Sequence, residues 1–203
     1  MGTPTNTIKH EFTARQIEIM EAATARIDRF GIQELTIKNL AADLNLSEAA
    51  LYRHFKSKND ILTGILDYFI IDMKQRIGGI IHGDSLDSQA VLSQIFTSQL
   101  NSFVQRPSIV SVIFSESIFQ FNSELSQKVS EMMSIMQTSI SKLIDKGQKS
   151  GQINTLINHD ALTTIIMGSM RMVVLKWKLS GNSSHLVKDG LNILNGVLKL
   201  ISK

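Results

Sequence analysis

Apolar positions recur at steps of three and four from residue 13 to the end of the chain, with polar and charged positions between them. That is the period of amphipathic α-helices. Ile17, Met20, Ala23, Ile27 and Phe30 mark the first apolar face, and Arg15, Glu18, Glu21, Arg26 and Asp28 fall between. Thr13 suits the N-cap of this helix, and Gly31, able to take the left-handed cap conformation, closes it. A short helix is expected over 36–44, capped by Thr36, with Ile37, Leu40, Ala41 and Leu44 inward. Asn45-Leu46 breaks it. Ser47 caps a third helix over 48–55, with Glu48 in its first turn, where negative charge suits the helix dipole. Ser57 caps a long fourth helix carrying Ile61, Leu62, Ile65, Leu66, Phe69, Met73 and Ile77, which fades at Gly78-Gly79. After the loop-like His82-Gly83-Asp84-Ser85, the spacing predicts helices over 87–105, 107–120, 122–149, 159–180 and 185–201. No segment alternates with period two over six residues, so an all-α fold of about nine helices and no sheet is expected.

The segment from Thr36 to Phe55 has the makings of a helix-turn-helix. Ala41 is small enough for a second helix to approach. Asn45 tolerates the positive φ that the turn requires. Leu40, Leu44, Leu46 and Leu51 pin both helices to a core, and Ser47, Glu48, Tyr52, Arg53 and His54 are left for an exposed face. On this pattern alone the segment is either a DNA-binding unit or a bare αα-hairpin.

The run Leu46-Ser47-Glu48-Ala49-Ala50-Leu51-Tyr52-Arg53-His54-Phe55-Lys56-Ser57-Lys58 resembles the recognition-helix pattern of TetR-type transcriptional regulators. Its flanks match as well: Phe30-Gly31, then Leu35-Thr36-Ile37-Lys38-Asn39-Leu40-Ala41, and Asp60-Ile61-Leu62 opening a long helix. The resemblance covers about residues 13–70; beyond it only the layout of many helices agrees. It implies an N-terminal three-helix DNA-binding domain over 1–57 and a C-terminal helical bundle over 58–203 for ligand binding and dimerisation. By position it implies that Thr36 meets a phosphate. Ser47, Ala49 and Ala50 lie at the end of the recognition helix that enters the major groove, where Ala50 can touch a thymine methyl. Tyr52 and His54 would contact the DNA backbone, and Lys58 a phosphate. Arg53 is either a bidentate reader of guanine or a solvated surface arginine. Glu48 either reads a cytosine amino group or serves the helix dipole.

Composition narrows the chemistry. The chain has 203 residues, 43% of them hydrophobic, and no cysteine. Disulfides, cysteine-ligated metals and thiol catalysis are therefore excluded. The five histidines show no metal-ligand spacing, and no phosphate loop, dinucleotide fingerprint or nucleophile elbow occurs. No metal, cofactor or catalytic residue is expected. The net charge is +3, yet residues 1–60 hold eight basic and eight acidic side chains. The DNA-binding half is thus neutral overall, with positive charge concentrated in Arg53 to Lys58. No signal peptide or membrane span is visible, which points to a cytoplasmic protein without a membrane partner.

The final helix carries two apolar stripes, one through Val187, Leu191, Leu194, Leu198 and Ile201 and one through Leu186, Gly190, Ile193, Val197 and Leu200. Two stripes need two neighbours. One is the protein's own core. The other suggests a homodimer, with Leu175, Leu186, Val187, Leu191, Leu194 and Leu198 at the interface. A twofold dimer suits a palindromic operator in double-stranded DNA. Met73, Phe103, Phe114, Phe119, Met136, Met167, Met170 and Trp177 are candidates for an adaptable ligand cavity, although most such residues are ordinary core residues. Glu116 and Arg171 interrupt apolar stretches and either orient a ligand or pair across an interface. The resemblance implies an apolar or amphipathic small-molecule effector that releases a repressor from DNA. Ser47 to Phe55 is also similar to TetR-fold nucleoid occlusion factors, so a division-control DNA-binding protein is the alternative.

Overall fold

The computed structural model describes residues 11–83, 87–114 and 122–202. Among them are nine α-helices: α1 Ala14–Phe30, α2 Ile37–Asp43, α3 Glu48–Tyr52, α4 Lys58–Ile81, α5 Ser88–Gln105, α6 Pro107–Ile113, α7 Ser123–Lys149, α8 His159–Leu179 and α9 Leu186–Ile201. A 3-10 turn, Ile32–Glu34, joins α1 to α2. The described residues hold one isolated β-bridge, Ile153 to Ser202, and no strand. The all-α expectation holds.

Contacts divide the chain into two compact units: residues up to Gln75 with Arg106–Glu131, and Arg76–Gln105 with the residues from Met132 onward. In the first, α1 is opened by a reciprocal capping box. The Gln16 backbone N–H donates to Thr13 Oγ1 at 3.2 Å, and the Thr13 N–H donates to Gln16 Oε1 at 3.0 Å. Ile19, Met20, Ala23 and Ile27 are buried, whereas Phe30 is 49% exposed. Phe30 therefore leaves the stripe the sequence predicts. Its ring lies between the guanidinium groups of Arg26 and Arg29, 5.1 and 5.0 Å from the centroid, and this stacking offsets its exposure. Gly31 has φ +86° and ψ 163°. The chain leaves α1 extended rather than through a left-handed turn, a conformation open to glycine alone.

α4 runs through Gly78-Gly79 to Ile81, longer than its sequence suggests. Neither glycine meets another side chain, so both are carried along by the helix ladder at a cost in propensity only. Gly64 is different. A Cβ there would sit 3.1 Å from Met20 Sδ and from Phe55 Cε1, so α4 crosses the N-terminal helices where it has no side chain. α6 packs on α1 and buries Ser108, Ile109, Val110, Val112 and Ile113. Of the helix expected over 107–120, residues 115–121 lie outside the described residues, and Glu116 and Phe119 with them.

In the second unit α9 packs on α5 and α8. Gly190 is its closest approach: a Cβ would fall 2.3 Å from Leu100 Cδ1 and 3.2 Å from Phe96 Cε1. The C-terminus of α9 is tied to the α7–α8 connection, where the Asn154 N–H donates to the Ile201 carbonyl at 2.8 Å. α7 and α8 end in Schellman closures. Gln152 N–H reaches the Gly147 carbonyl and Asn182 N–H the Trp177 carbonyl, with Gly151 and Gly181 at φ +77° and +67°. Gly190→Ala is expected to lower the free energy of unfolding by about 1–3 kcal/mol through overpacking. Gly79→Ala is expected to raise it by about 0.5–1 kcal/mol through helix propensity. Urea titration of the two variants checks both signs.

Candidate nucleic-acid interface

α2 and α3 are short, seven and five residues, and each begins on a side-chain cap. Thr36 Oγ1 accepts the Asn39 N–H and Ser47 Oγ accepts the Ala50 N–H, both at 3.1 Å. The turn between them is a Schellman closure built on asparagine. Leu46 N–H donates to the Ala41 carbonyl at 2.8 Å and Asn45 N–H to the Ala42 carbonyl at 3.2 Å, with Asn45 at φ +53°. Leu40, Ala41, Leu51 and Phe55 are all at most 3% exposed, and Leu44 and Leu46 are half-buried. This is the pair of short, core-anchored helices around a tight turn that a helix-turn-helix requires.

The recognition helix ends earlier than 55. After Tyr52 the chain tightens: His54 N–H bonds the Leu51 carbonyl at 3.0 Å, and Phe55 is turned into the core. The physical reason is the next helix. Ser57 Oγ accepts the Asp60 N–H at 3.1 Å, and the Lys56 N–H donates to Asp60 Oδ2 at 2.8 Å. That cap cannot form unless the chain has already left the helical path.

The exposed surface follows from this. Ser47, Glu48, Ala49, Tyr52 and Arg53 are exposed, while Ala50 and His54 are half-buried. Ser47, Glu48 and Ala49 lie together at the N-terminal end of α3. Arg53 is the C-cap at its other end. Thr36 is exposed at the start of α2. Lys58 is half-buried, and its Nζ donates to the Ile32 carbonyl at 3.0 Å, tying the start of α4 to the 3-10 turn. Burial holds its pKa below the usual lysine value. Two further anchors are absent from the sequence reading. Gln16 Nε2 donates to the His54 carbonyl at 3.4 Å, and Arg26 pairs with Asp43 at 2.7 Å. Along the chain Gln16 reads only as the capping-box partner of Thr13, and Arg26 only as one more charge between apolar positions.

The chain matches two family descriptions in succession: bacterial regulatory proteins of the tetR family over residues 19–65, and the C-terminal region of YsiA-like proteins over residues 64–201. The chain belongs to the tetR family of bacterial regulatory proteins. It is a DNA-binding transcription regulator with a helix-turn-helix. Among its relatives is the nucleoid occlusion factor SlmA of Photobacterium profundum, 25% identical, with 85% of this chain and 92% of that protein covered. Among solved structures, a regulator from Saccharomonospora viridis in complex with choline has a TM-score of 0.81 at 23% identity, covering 93% of this chain and 98% of that one. The transcriptional regulator FadR of Bacillus subtilis in complex with stearoyl-CoA has a TM-score of 0.71 at 20% identity, covering 92% of this chain and 97% of that one. At these identities the structures speak for the fold.

The remaining sequence-predicted positions divide by unit. In the first, Met73 is fully buried and Phe114 half-buried; in the second, Phe103, Met136, Met170 and Trp177 are buried and Met167 half-buried. Arg171 is exposed on α8, beside Met172 at 57% exposure, and so does not interrupt the core. A groove of about 360 Å³ in the second unit is lined by Gln89, Ser93, Asn195, Leu198, Lys199 and Ser202 among others, and includes none of the candidate ligand residues. Among the described residues no group of His, Cys, Asp or Glu could hold a metal ion, and no helix is long and apolar enough to cross a membrane.

The interface positions also need correction. Leu186, Leu194 and Leu198 are buried in the protomer's own core, Val187 and Leu191 are half-buried, and Leu175 is 39% exposed. Packing of α9 on α5 and α8 uses up the first three. The apolar residues that α8 and α9 leave exposed are Ile165, Met172, Leu175 and Leu179, and Ile193 and Leu200. Ser47→Ala is expected to destabilise the protein by about 1 kcal/mol, because α3 has a single side-chain cap and only five residues. Thermal unfolding of the variant measures this.

Proposed function

We propose that the protein is a homodimeric repressor that binds a palindromic operator through α2 and α3 and is released by a small apolar or amphipathic effector. The observation that carries the reading is the exposed N-terminal end of a capped, core-anchored α3, together with an exposed Thr36 capping the start of α2. Small residues at Ala49 and Ala50 permit close approach to base edges, while Tyr52, Arg53, His54 and Lys58 supply the backbone and base contacts around them. Glu48 stands at the first position of α3, where it favours the helix dipole and can accept from a cytosine amino group. With no basic excess in this half, affinity rests on few phosphate contacts and on backbone donors.

Dimerisation is supported by the apolar face of α8 and α9. Met172, Leu179 and Leu200 are more than half exposed, and Gly168 and Gly196 have no other atom within 4 Å of a Cβ position, leaving room for a partner's helices. Twofold symmetry would place two copies of α3 about 34–36 Å apart, one turn of B-DNA, or a multiple of it. The effector reading draws on the buried methionines and aromatics of both units and on the stearoyl-CoA and choline held by the two solved relatives. No catalytic role is proposed, and the protein would act in the cytoplasm, on the nucleoid.

The similarity to SlmA supports a second reading, a division-control protein bound at many chromosomal sites. Genome-wide mapping of bound DNA separates the two: one or a few promoter sites indicate a repressor, and many scattered sites indicate the alternative. Lys58→Ala is expected to weaken DNA binding and to lower the slope of log affinity against log salt by about 0.9. Unchanged affinity and slope would exclude Lys58 as a phosphate contact. Met172→Asp is expected to convert the dimer to monomer in sedimentation at micromolar concentration; a dimer that persists places the interface elsewhere.

A further inference from the structure

The N-terminal unit carries an ion pair that lies outside the residues proposed to contact DNA. Arg26, on α1, has a side chain only 13% exposed, although it is charged and sits between the buried Ala23 and Ile27. Its NH1 donates to both carboxylate oxygens of Asp43, at 2.9 and 2.7 Å, and its Nε donates to the Glu34 carbonyl at 2.8 Å. The same carbonyl accepts Asn39 Nδ2 at 3.2 Å. Asn39 and Asp43 are four residues apart and so share one face of α2. One guanidinium thus joins α1, the 3-10 turn and that face of α2.

The position of Asp43 makes the contact more than a surface ion pair. It is the last residue of α2, immediately before Leu44 and the left-handed Asn45. A carboxylate at a helix C-terminus opposes the dipole, and beside a DNA duplex it opposes the phosphates. Arg26 neutralises it and ties the end of α2 to α1 and the 3-10 turn. α2 makes few turns, and α3 begins directly after the closure that follows Asp43, so a tilt at Asp43 is passed to the start of the recognition helix.

We propose that Arg26 and Asp43 are positioning residues for DNA recognition: their ion pair sets the angle at which α3 leaves the turn, and so the discrimination between specific and non-specific sequence rather than the affinity for DNA as such. Phosphate contacts tolerate a small rotation because they carry no sequence information, whereas hydrogen bonds to base edges do not.

The test uses the full-length protein and two duplexes. One is recovered from a randomised library by repeated selection with the unaltered protein; the other is the same duplex with its sequence scrambled. Asp43→Asn, whose side chain is 39% exposed, is expected to lower the ratio of the two affinities about tenfold. The scrambled-duplex affinity should stay within about twofold. Arg26→Met also loses the Nε contact to Glu34 and should lower the ratio at least as far, and the double variant should be no worse than Arg26→Met alone, because Asp43→Asn removes nothing that Arg26→Met leaves in place. Arg26→Lys keeps the charge but loses the Nε contact to Glu34, and should fall between. Thermal unfolding is read alongside. A merely structural pair would lower the melting temperature and leave the affinity ratio of the folded protein unchanged, and that result would overturn the proposal even if Arg26→Met failed to fold, since Asp43→Asn reports independently. Additive losses in the double variant would overturn it too. If the unaltered protein selects no duplex at all, DNA recognition itself fails and the positioning role falls with it.

Discussion

A five-residue helix has no stability of its own. Isolated helices below about 12–15 residues are marginal in water, and α3 has room for barely one turn of backbone hydrogen bonds. What holds it is the burial of Leu40, Ala41, Leu51 and Phe55 against α1 and the start of α4. Gly64 allows that packing by letting α4 pass within van der Waals reach of Met20 and Phe55. The exposed face of α3 depends on this core, because its residues stand next to buried apolar neighbours in the chain: Ala50 and Tyr52 beside Leu51, and His54 beside Phe55.

Polar interactions then orient what the core holds. The caps from Thr13, Thr36, Ser47 and Ser57 satisfy backbone donors at the start of four consecutive helices. Asn45 closes the turn where the other Schellman closures use glycine. Charge is used sparingly and mostly internally. Asp43 is taken up by Arg26, Asp60 by the Lys56 backbone, and the Lys58 ammonium reaches a carbonyl of the 3-10 turn. A neutral DNA-binding half is consistent with this: several of its charges serve the geometry of the domain.

Much of the fold was legible along the chain because its signals are local. Cap residues, the 3.6-residue period and the residue at the turn act over three or four positions. So the helices over 88–105, 123–149, 159–179 and 186–201 fall within a residue or two of where the periodicity puts them. Misreadings occurred where a local signal met a longer-range one. Phe30 fits the apolar stripe of α1 but lies exposed between two arginines. Gly78-Gly79 has the composition of a helix end, yet α4 continues through it. The recognition helix stops at Tyr52 because the cap at Ser57 and the burial of Phe55 require the chain to turn. On α9 two apolar stripes were visible, but the buried face draws on both, with Leu186 and Gly190 from one and Leu194, Leu198 and Ile201 from the other, a division that periodicity alone cannot assign.

The sequence by itself determined the elements, their caps, the helix-turn-helix and the family, because those depend on neighbours in the chain. Only the tertiary structure decided that Leu186, Leu194 and Leu198 are core while Met172, Leu179 and Leu200 face outward. It alone showed that Lys58 bonds the 3-10 turn and that Arg26 reaches Asp43, 17 residues away. The physical reason is the same in each case. A side chain's partner is set by which helices cross and at what angle, and that angle is fixed by contacts between residues far apart in sequence, which no local pattern encodes.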